Sequence, residues 1–144
     1  MQNMKTAIAT PDAPPALGPY SQGVKVGDSI YVSGQLPMDP KSGQLVSGGI
    51  GAQTEQVLLN IREILEEAQS SLKDVVKITI FLKDLSDFAE VNRVFALFFP
   101  NSEFSPIVPP ARSTVEVSRL PRDAEIEMDA IAVISGGYVD SEIY

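Results

Sequence analysis

The side chains that could carry chemistry in this sequence are an arginine and a few carboxylates. Arg112 lies in Pro109-Pro-Ala-Arg-Ser-Thr-Val-Glu-Val117, and Glu127 closes Glu125-Ile-Glu127 one strand later. The chain has no histidine and no cysteine. Ser-His-Asp and Cys-His nucleophile systems are therefore excluded, as are ordinary zinc sites. A guanidinium can grip a carboxylate in a planar, bidentate contact. A carboxylate beside it can hold a proton or orient a water.

Strand alternation places Arg112, Thr114 and Glu116 on one face, and Glu125, Glu127, Asp129 and Ile131 on one face of the next strand. If the two strands pair as a hairpin around Leu120-Pro121, Glu127 falls opposite or diagonal to Thr114, within reach of Arg112. A one-residue slip would swap the faces, and the turn length leaves the register open. Two readings stand together. Arg112 and Glu127 form a substrate clamp with a proton carrier, or they form a cross-strand ion pair that pins the register. Pattern alone favours the ion pair, because structural pairs outnumber catalytic ones.

Further candidate polar groups stand elsewhere. Tyr20, in Leu17-Gly-Pro-Tyr-Ser-Gln-Gly23, offers a hydroxyl just before the first strand, or simply packs over a sheet edge. Ser33-Gly34-Gln35 ends a strand where a glycine lets a ligand approach the backbone, or marks a β-bulge. Asn92 lines a site or lies on a helix surface. Lys41-Ser-Gly43 lacks the upstream glycines of a phosphate loop and is set aside.

These groups need positioning elements. Val24 to Ser33 reads as a hairpin about Gly27-Asp28, with a type II′ turn. Pro37 to Gly51 reads as a loop. From Ala52 to about Ser71, with Leu72 just beyond, Val57, Leu58, Ile61, Ile64, Leu65, Ala68 and Leu72 follow the spacing of an amphipathic helix. Val75 to Lys83 is a strand with Val76, Ile78, Ile80 and Leu82 on one face. A second helix starts at Ser86 as N-cap, buries Phe88, Val91, Phe95 and Phe98, and ends before Pro100. Pro100 to Pro110 reads as a stiff loop. Strands over about 112–118 and 125–133 complete the order ββαβαββ: an α+β domain with a mixed sheet and two helices on one face. The other face, with Tyr31, Phe81, Ile131 and Val133, is semi-apolar and favours a homo-oligomer.

The bulk numbers bound the function. The chain has 144 residues, 44% hydrophobic and 21% charged, which suits one soluble domain. Residues 1–133 form that domain and 134–144 a C-terminal tail. No apolar run approaches the ~20 residues of a membrane span. No secretory signal is visible, so a cytoplasmic setting is expected. A net charge of −8, from eleven basic and nineteen acidic residues, argues against nucleic-acid partners.

Taken in order, these segments resemble the RidA (YjgF/YER057c/UK114) family of reactive-intermediate deaminases. The likeness runs from about Thr6 to Val133. Its landmarks are Gly18-Pro-Tyr-Ser-Gln-Gly23, Val32-Ser-Gly-Gln35, Lys83-Asp-Leu-Ser-Asp-Phe88, Val91-Asn92, Pro110-Ala-Arg-Ser113, Val115-Glu-Val117, Arg119-Leu-Pro121 and Glu125-Ile-Glu127. The resemblance implies a chorismate-mutase-like fold and a homotrimer with clefts at the subunit interfaces. It implies cofactor-free, metal-free hydrolysis of 2-imino and enamine acids, such as 2-aminoacrylate, 2-iminopropanoate and 2-iminobutanoate, to 2-oxo acids and ammonia. By position, Arg112 would grip the carboxylate and Glu127 would hold and activate water. Tyr20, Ser33 and Gly34 would surround substrate or water, Asn92 would line the outer site, and Thr114 would contribute backbone contacts. Deaminase members usually carry cysteine at Thr114, and the 100–110 loop is a few residues longer than usual. Two other readings are a non-catalytic 2-oxo-acid sensor or chaperone-like trimer and an RNA-cleaving protein, which the acidic charge and the lack of histidine disfavour.

Overall fold

The computed structural model describes residues 4–134. The elements run β1 (Thr6–Ile8), β2 (Gly23–Val26), β3 (Ser29–Gln35), α1 (Gly49–Glu67), β4 (Val75–Leu82), α2 (Phe88–Phe98), β5 (Asn101–Ser102), β6 (Ser105–Pro106), β7 (Ala111–Glu116) and β8 (Ile126–Val133). One six-stranded mixed sheet has the order β1-β2-β3-β8-β4-β7, and β5-β6 form a separate small hairpin. The expected ββαβαββ order holds, with β1 and the β5-β6 hairpin added. No helix among the described residues is long and apolar enough to cross a membrane.

Alternation on β4 and β8 builds the core. Ile78, Ile80 and Leu82 share a buried face with Ile126, Met128, Ala130 and Ala132. Val57, Leu58, Ile61, Ile64 and Leu65 of α1 close over that face. Each fully buried aliphatic side chain contributes about 1.5–3 kcal/mol. The hairpin β2-β3 turns at Gly27-Asp28 with Val26 paired to Ser29, and Gly27 holds the positive φ of 58° that a type II′ turn requires.

Several expectations are corrected. Arg112 and Glu127 do not sit on paired strands: β7 pairs parallel with β4, and β4 stands between β7 and β8. The connection from β7 to β8 therefore crosses over β4, and no hairpin forms at Leu120-Pro121. A register shift at Val75/Lys77 turns Val76 out of the core, 47% exposed, and puts Val75 in its place. The second helix is preceded by a 3-10 turn at Leu85–Asp87, capped by the Asp84 side chain rather than by Ser86. Ser86 instead donates its hydroxyl to the same Asp84 oxygen. The first helix begins at Gly49, three residues before the expected start. Ile134 packs against the core and donates its N–H to Asp28 O (2.9 Å), so the domain extends through that residue. The remainder of the expected tail, 135–144, lies outside the described residues.

Candidate active site

The structure gathers the candidate residues into two groups. The first surrounds Arg112 on the helix-covered side of β7. Arg112 pairs with Ile78, whose side chain is fully buried beneath the helices, so both point to that face. Its guanidinium carbon lies 4.9 Å from the Phe95 ring centre and 5.5 Å from that of Phe88. Both rings belong to α2, and Asn92, four residues after Phe88 and three before Phe95, shares their stripe. Thr114 is two residues along β7 on the same face, paired with Ile80. Because β7 is an edge strand, half of its backbone polar groups have no sheet partner.

The electrostatics of Arg112 are unusual for a partly buried arginine. Among the described residues it has no carboxylate partner and makes no hydrogen bond; the two phenyl faces alone hold it. Burial pulls its pKa down from the ordinary guanidinium value, though arginine stays charged at any physiological pH. No described residue takes any of its five N–H donors, which suits them to a ligand. The geometry dismisses the register-pinning ion pair.

The second group lies on the opposite, open face of the sheet. Between Val32 and Gln35 the β3–β8 register shifts by one residue. This bulge turns both Ser33 and Gly34 toward the open face. The Ser33 hydroxyl donates to Ser21 O (2.6 Å) and its N–H to Gln22 O (2.9 Å), which ties the Tyr20 segment to the end of β3. Gly34 makes room for Glu127: a Cβ built there would collide with Glu127 Oε2 and lie 2.9 Å from its carboxyl carbon. The close approach anticipated at this glycine is therefore filled by a carboxylate of the chain itself. Burial, and after it the neighbouring Asp129 carboxylate, raise the pKa of Glu127 above its ordinary value. Glu127 has no hydrogen-bond or ion-pair partner among the described residues, which leaves its carboxylate available to a water or a proton. Tyr20 is exposed, and its hydroxyl oxygen accepts a long bond from Leu17 N (3.4 Å).

Buried amides hold this second group in place. Asn60 of α1 donates to Leu36 O (3.1 Å) and Met38 O (3.0 Å), fixing the chain just beyond β3. Gln22 accepts from Thr10 N and donates toward Thr10, Ala13 and Pro14 carbonyls. The sequence pattern presents Phe88 and Phe95 as core residues only. Their spacing around Asn92 was the available signal for a second role.

The family model described as Endoribonuclease L-PSP matches residues 10–134. The chain belongs to the RidA family. It is 54% identical over 128 residues to a RutC family protein of Pyrococcus abyssi, covering 89% of this chain and 96% of that one. It is 49% identical over 132 residues to the 2-iminobutanoate/2-iminopropanoate deaminase of Escherichia coli K12, covering 90% and 98%. The crystal structure of the E. coli yjgF gene product superposes with a TM-score of 0.82 at 48% identity, covering 89% of this chain and 98% of that one. The fold is the chorismate-mutase-like one of RidA proteins, as the motifs implied.

Proposed function

We propose that this RidA-family chain hydrolyses 2-imino acids and their enamine tautomers to 2-oxo acids and ammonia. The observation that carries the proposal is Arg112: a partly buried cation on an aromatic platform, with no donor claimed among the described residues. Such a group is organised for a carboxylate that the fold itself does not provide. The deaminase names of relatives at 49% identity support this substrate class.

In the proposed reaction Arg112 fixes the carboxylate. Glu127 takes a proton from water as the water oxygen bonds to the imine carbon and the C=N π bond opens, and it hands that proton to the nitrogen. The resulting carbinolamine collapses: Glu127 carries the hydroxyl proton to the amine nitrogen, the C–N bond breaks, and ammonia leaves as the carbonyl forms. The imine is already electrophilic, so fixation and one proton carrier suffice without metal or cofactor.

A single copy cannot bring the two groups to one substrate, because they occupy opposite faces of the sheet. The proposed enzyme is therefore an oligomer, and the homotrimer that the RidA resemblance implies would set the Arg112 edge of one copy against the Glu127 face of the next. A contact between two different surfaces of the same chain closes into a ring when its rotation allows. Exposed Tyr31, Val115 and Val133 give the open face the apolar character such a contact uses.

The test is ammonia release from imines generated in situ by an amino-acid oxidase. Arg112→Ala should abolish acceleration over the spontaneous reaction. Glu127→Gln should lose turnover yet retain 2-oxo-acid binding. A wild-type protein that binds 2-oxo acids without any turnover would instead be a sensor.

A further inference from the structure

The two rings that hold Arg112 are secured in different ways. Phe95 is buried on α2. Phe88, 40% exposed, opens that helix directly after the Leu85–Asp87 turn, in which no residue is buried. Packing leaves the position of this turn to hydrogen bonds.

Those bonds form a chain that leads back to the strand of Arg112. The Leu85 carbonyl accepts the Phe88 N–H, and the Leu85 N–H donates to Glu116 Oε1 (2.8 Å). Glu116 ends β7 in register with Leu82, as Arg112 near its start is with Ile78, and both β4 partners are fully buried beneath the helices. Arg112 and Glu116 therefore project to the same side of one strand, about 13 Å apart along it. The Val117 N–H donates to Leu82 O (2.8 Å), which pins that end of the strand to β4. The circuit closes through the ring, since the Arg112 guanidinium carbon lies 5.5 Å from the Phe88 centre.

Among the described residues, the bond from Leu85 to Glu116 is the only hydrogen bond between β7 and the segment 85–98. A carboxylate acceptor makes it about twice as strong as a bond between neutral groups. It also satisfies one of the N–H donors left open at the start of a helical segment. Glu116 is exposed and forms no ion pair with Arg112. Its influence on the arginine runs through the turn and the ring.

We infer that Glu116 is a positioning residue for the carboxylate grip of Arg112: its bond to Leu85 N holds the turn that carries Phe88 against the arginine's own strand. The inference rests on the imine-deaminase reading for the ligand that Arg112 takes. Three substitutions separate the bond from the charge. Glu116→Ala removes the acceptor. Glu116→Asp keeps the charge but withdraws the acceptor by one methylene. Glu116→Gln keeps an acceptor oxygen at the same reach without the charge.

The experiment has two arms. The first follows the Arg112 Nε–H resonance, which the two phenyl faces shift by their ring currents and which is assigned by its loss in Arg112→Ala. The second measures KM and kcat for ammonia release from the imine of alanine, and Kd for pyruvate by calorimetry. Glu116→Ala and Glu116→Asp should both move the resonance. Both should raise KM and Kd about three- to tenfold, within the range of losing the ring itself, with kcat changed by less than about twofold. Glu116→Gln should match the wild type in both arms. In a Phe88→Leu background, Glu116→Ala should add less than about twofold, because the ring through which it acts is gone.

An unmoved resonance, or a moved one with KM and Kd intact, would overturn the positioning role and leave the deaminase reading standing. So would rescue by Glu116→Asp but not by Glu116→Gln, which would assign the effect to charge, or a full effect persisting in Phe88→Leu. A wild-type protein with neither turnover nor pyruvate binding would overturn the deaminase reading instead, and the resonance alone would then decide whether Glu116 positions Arg112.

Discussion

Arg112 and Glu127 point to opposite faces of the same sheet with β4 between their strands. Arg112 is in register with Ile78 and Glu127 with Phe81, three residues apart on β4, so alternation sends them apart. A site that uses both must draw them from two copies. This makes a complementation experiment decisive. Arg112→Ala and Glu127→Gln should each be inactive as pure proteins, with losses of about 30- to 4000-fold for Arg112→Ala, corresponding to about 2–5 kcal/mol. Co-expressed in equal amount, they should recover about a quarter of the wild-type sites, since a mixed interface can pair an intact arginine with an intact glutamate. No recovery in verified mixed oligomers would place both residues in one copy's site or in none.

The aromatic platform gives a second expectation. Phe88 and Phe95 orient Arg112 without consuming its donors, in the way a carboxylate partner would. A cation–π contact contributes about 0.5–2 kcal/mol. Phe88→Leu should therefore raise KM about 2- to 30-fold while kcat changes little, because the carboxylate grip is present in ground and transition states alike. Phe88 is partly exposed, so thermal unfolding should move little. A fall in kcat at constant KM would assign the ring to the chemistry instead.

The elements of this fold were legible because they rest on local periodicity, whereas the pairing of the last two strands does not. Val57 through Leu65 announces α1, and Ile78, Ile80 and Leu82 announce β4, from spacing alone. The assumption that consecutive strands pair failed at β7 and β8, whose neighbour in space is an earlier strand. The same long-range pairing decides which face Arg112 occupies, so no local pattern could have set it apart from Glu127. Bulges are the other loss: Val76 fits the alternation of its strand, yet a register shift with β8 turns it outward. At Gly34 the sequence offers a ligand's approach or a β-bulge; the bulge is present, and the Glu127 carboxylate beside the glycine is visible only once β8 lies beside β3.

That contact yields a third prediction. Gly34→Ala places a methyl group where the Glu127 carboxyl stands, and the backbone on either side is held by the sheet. Either the carboxylate swings away or the strands part. Turnover should fall nearly as far as in Glu127→Gln, with destabilisation of about 1–3 kcal/mol from overpacking. The shorter residue in Glu127→Ala should relieve the collision. Gly34→Ala introduced into that background should then cost much less stability, a non-additivity readable in denaturant unfolding. Equal costs in both backgrounds would show that the glycine serves the bulge backbone and not the carboxylate.

The raised pKa of Glu127 predicts two pH dependences of definite sign. Its folded pKa exceeds its unfolded one, first through burial and then through Asp129. The protonated form is thus favoured in the fold, and the stability this group contributes is fully present below its unfolded pKa. It is lost as pH rises through the folded value. Glu127→Gln should accordingly raise Tm at neutral pH and bring no gain near about pH 3, below the unfolded glutamate pKa of about 4.3, where the wild-type carboxyl is protonated in both states. For catalysis the sign is opposite, because only the carboxylate can take a proton from water. The acid limb of kcat/KM should lie above the ordinary glutamate range. Asp129→Asn removes the like charge, so it should shift that limb to lower pH and leave the high-pH plateau in place. An acid limb that does not move in Asp129→Asn would mean that another group governs the proton transfer.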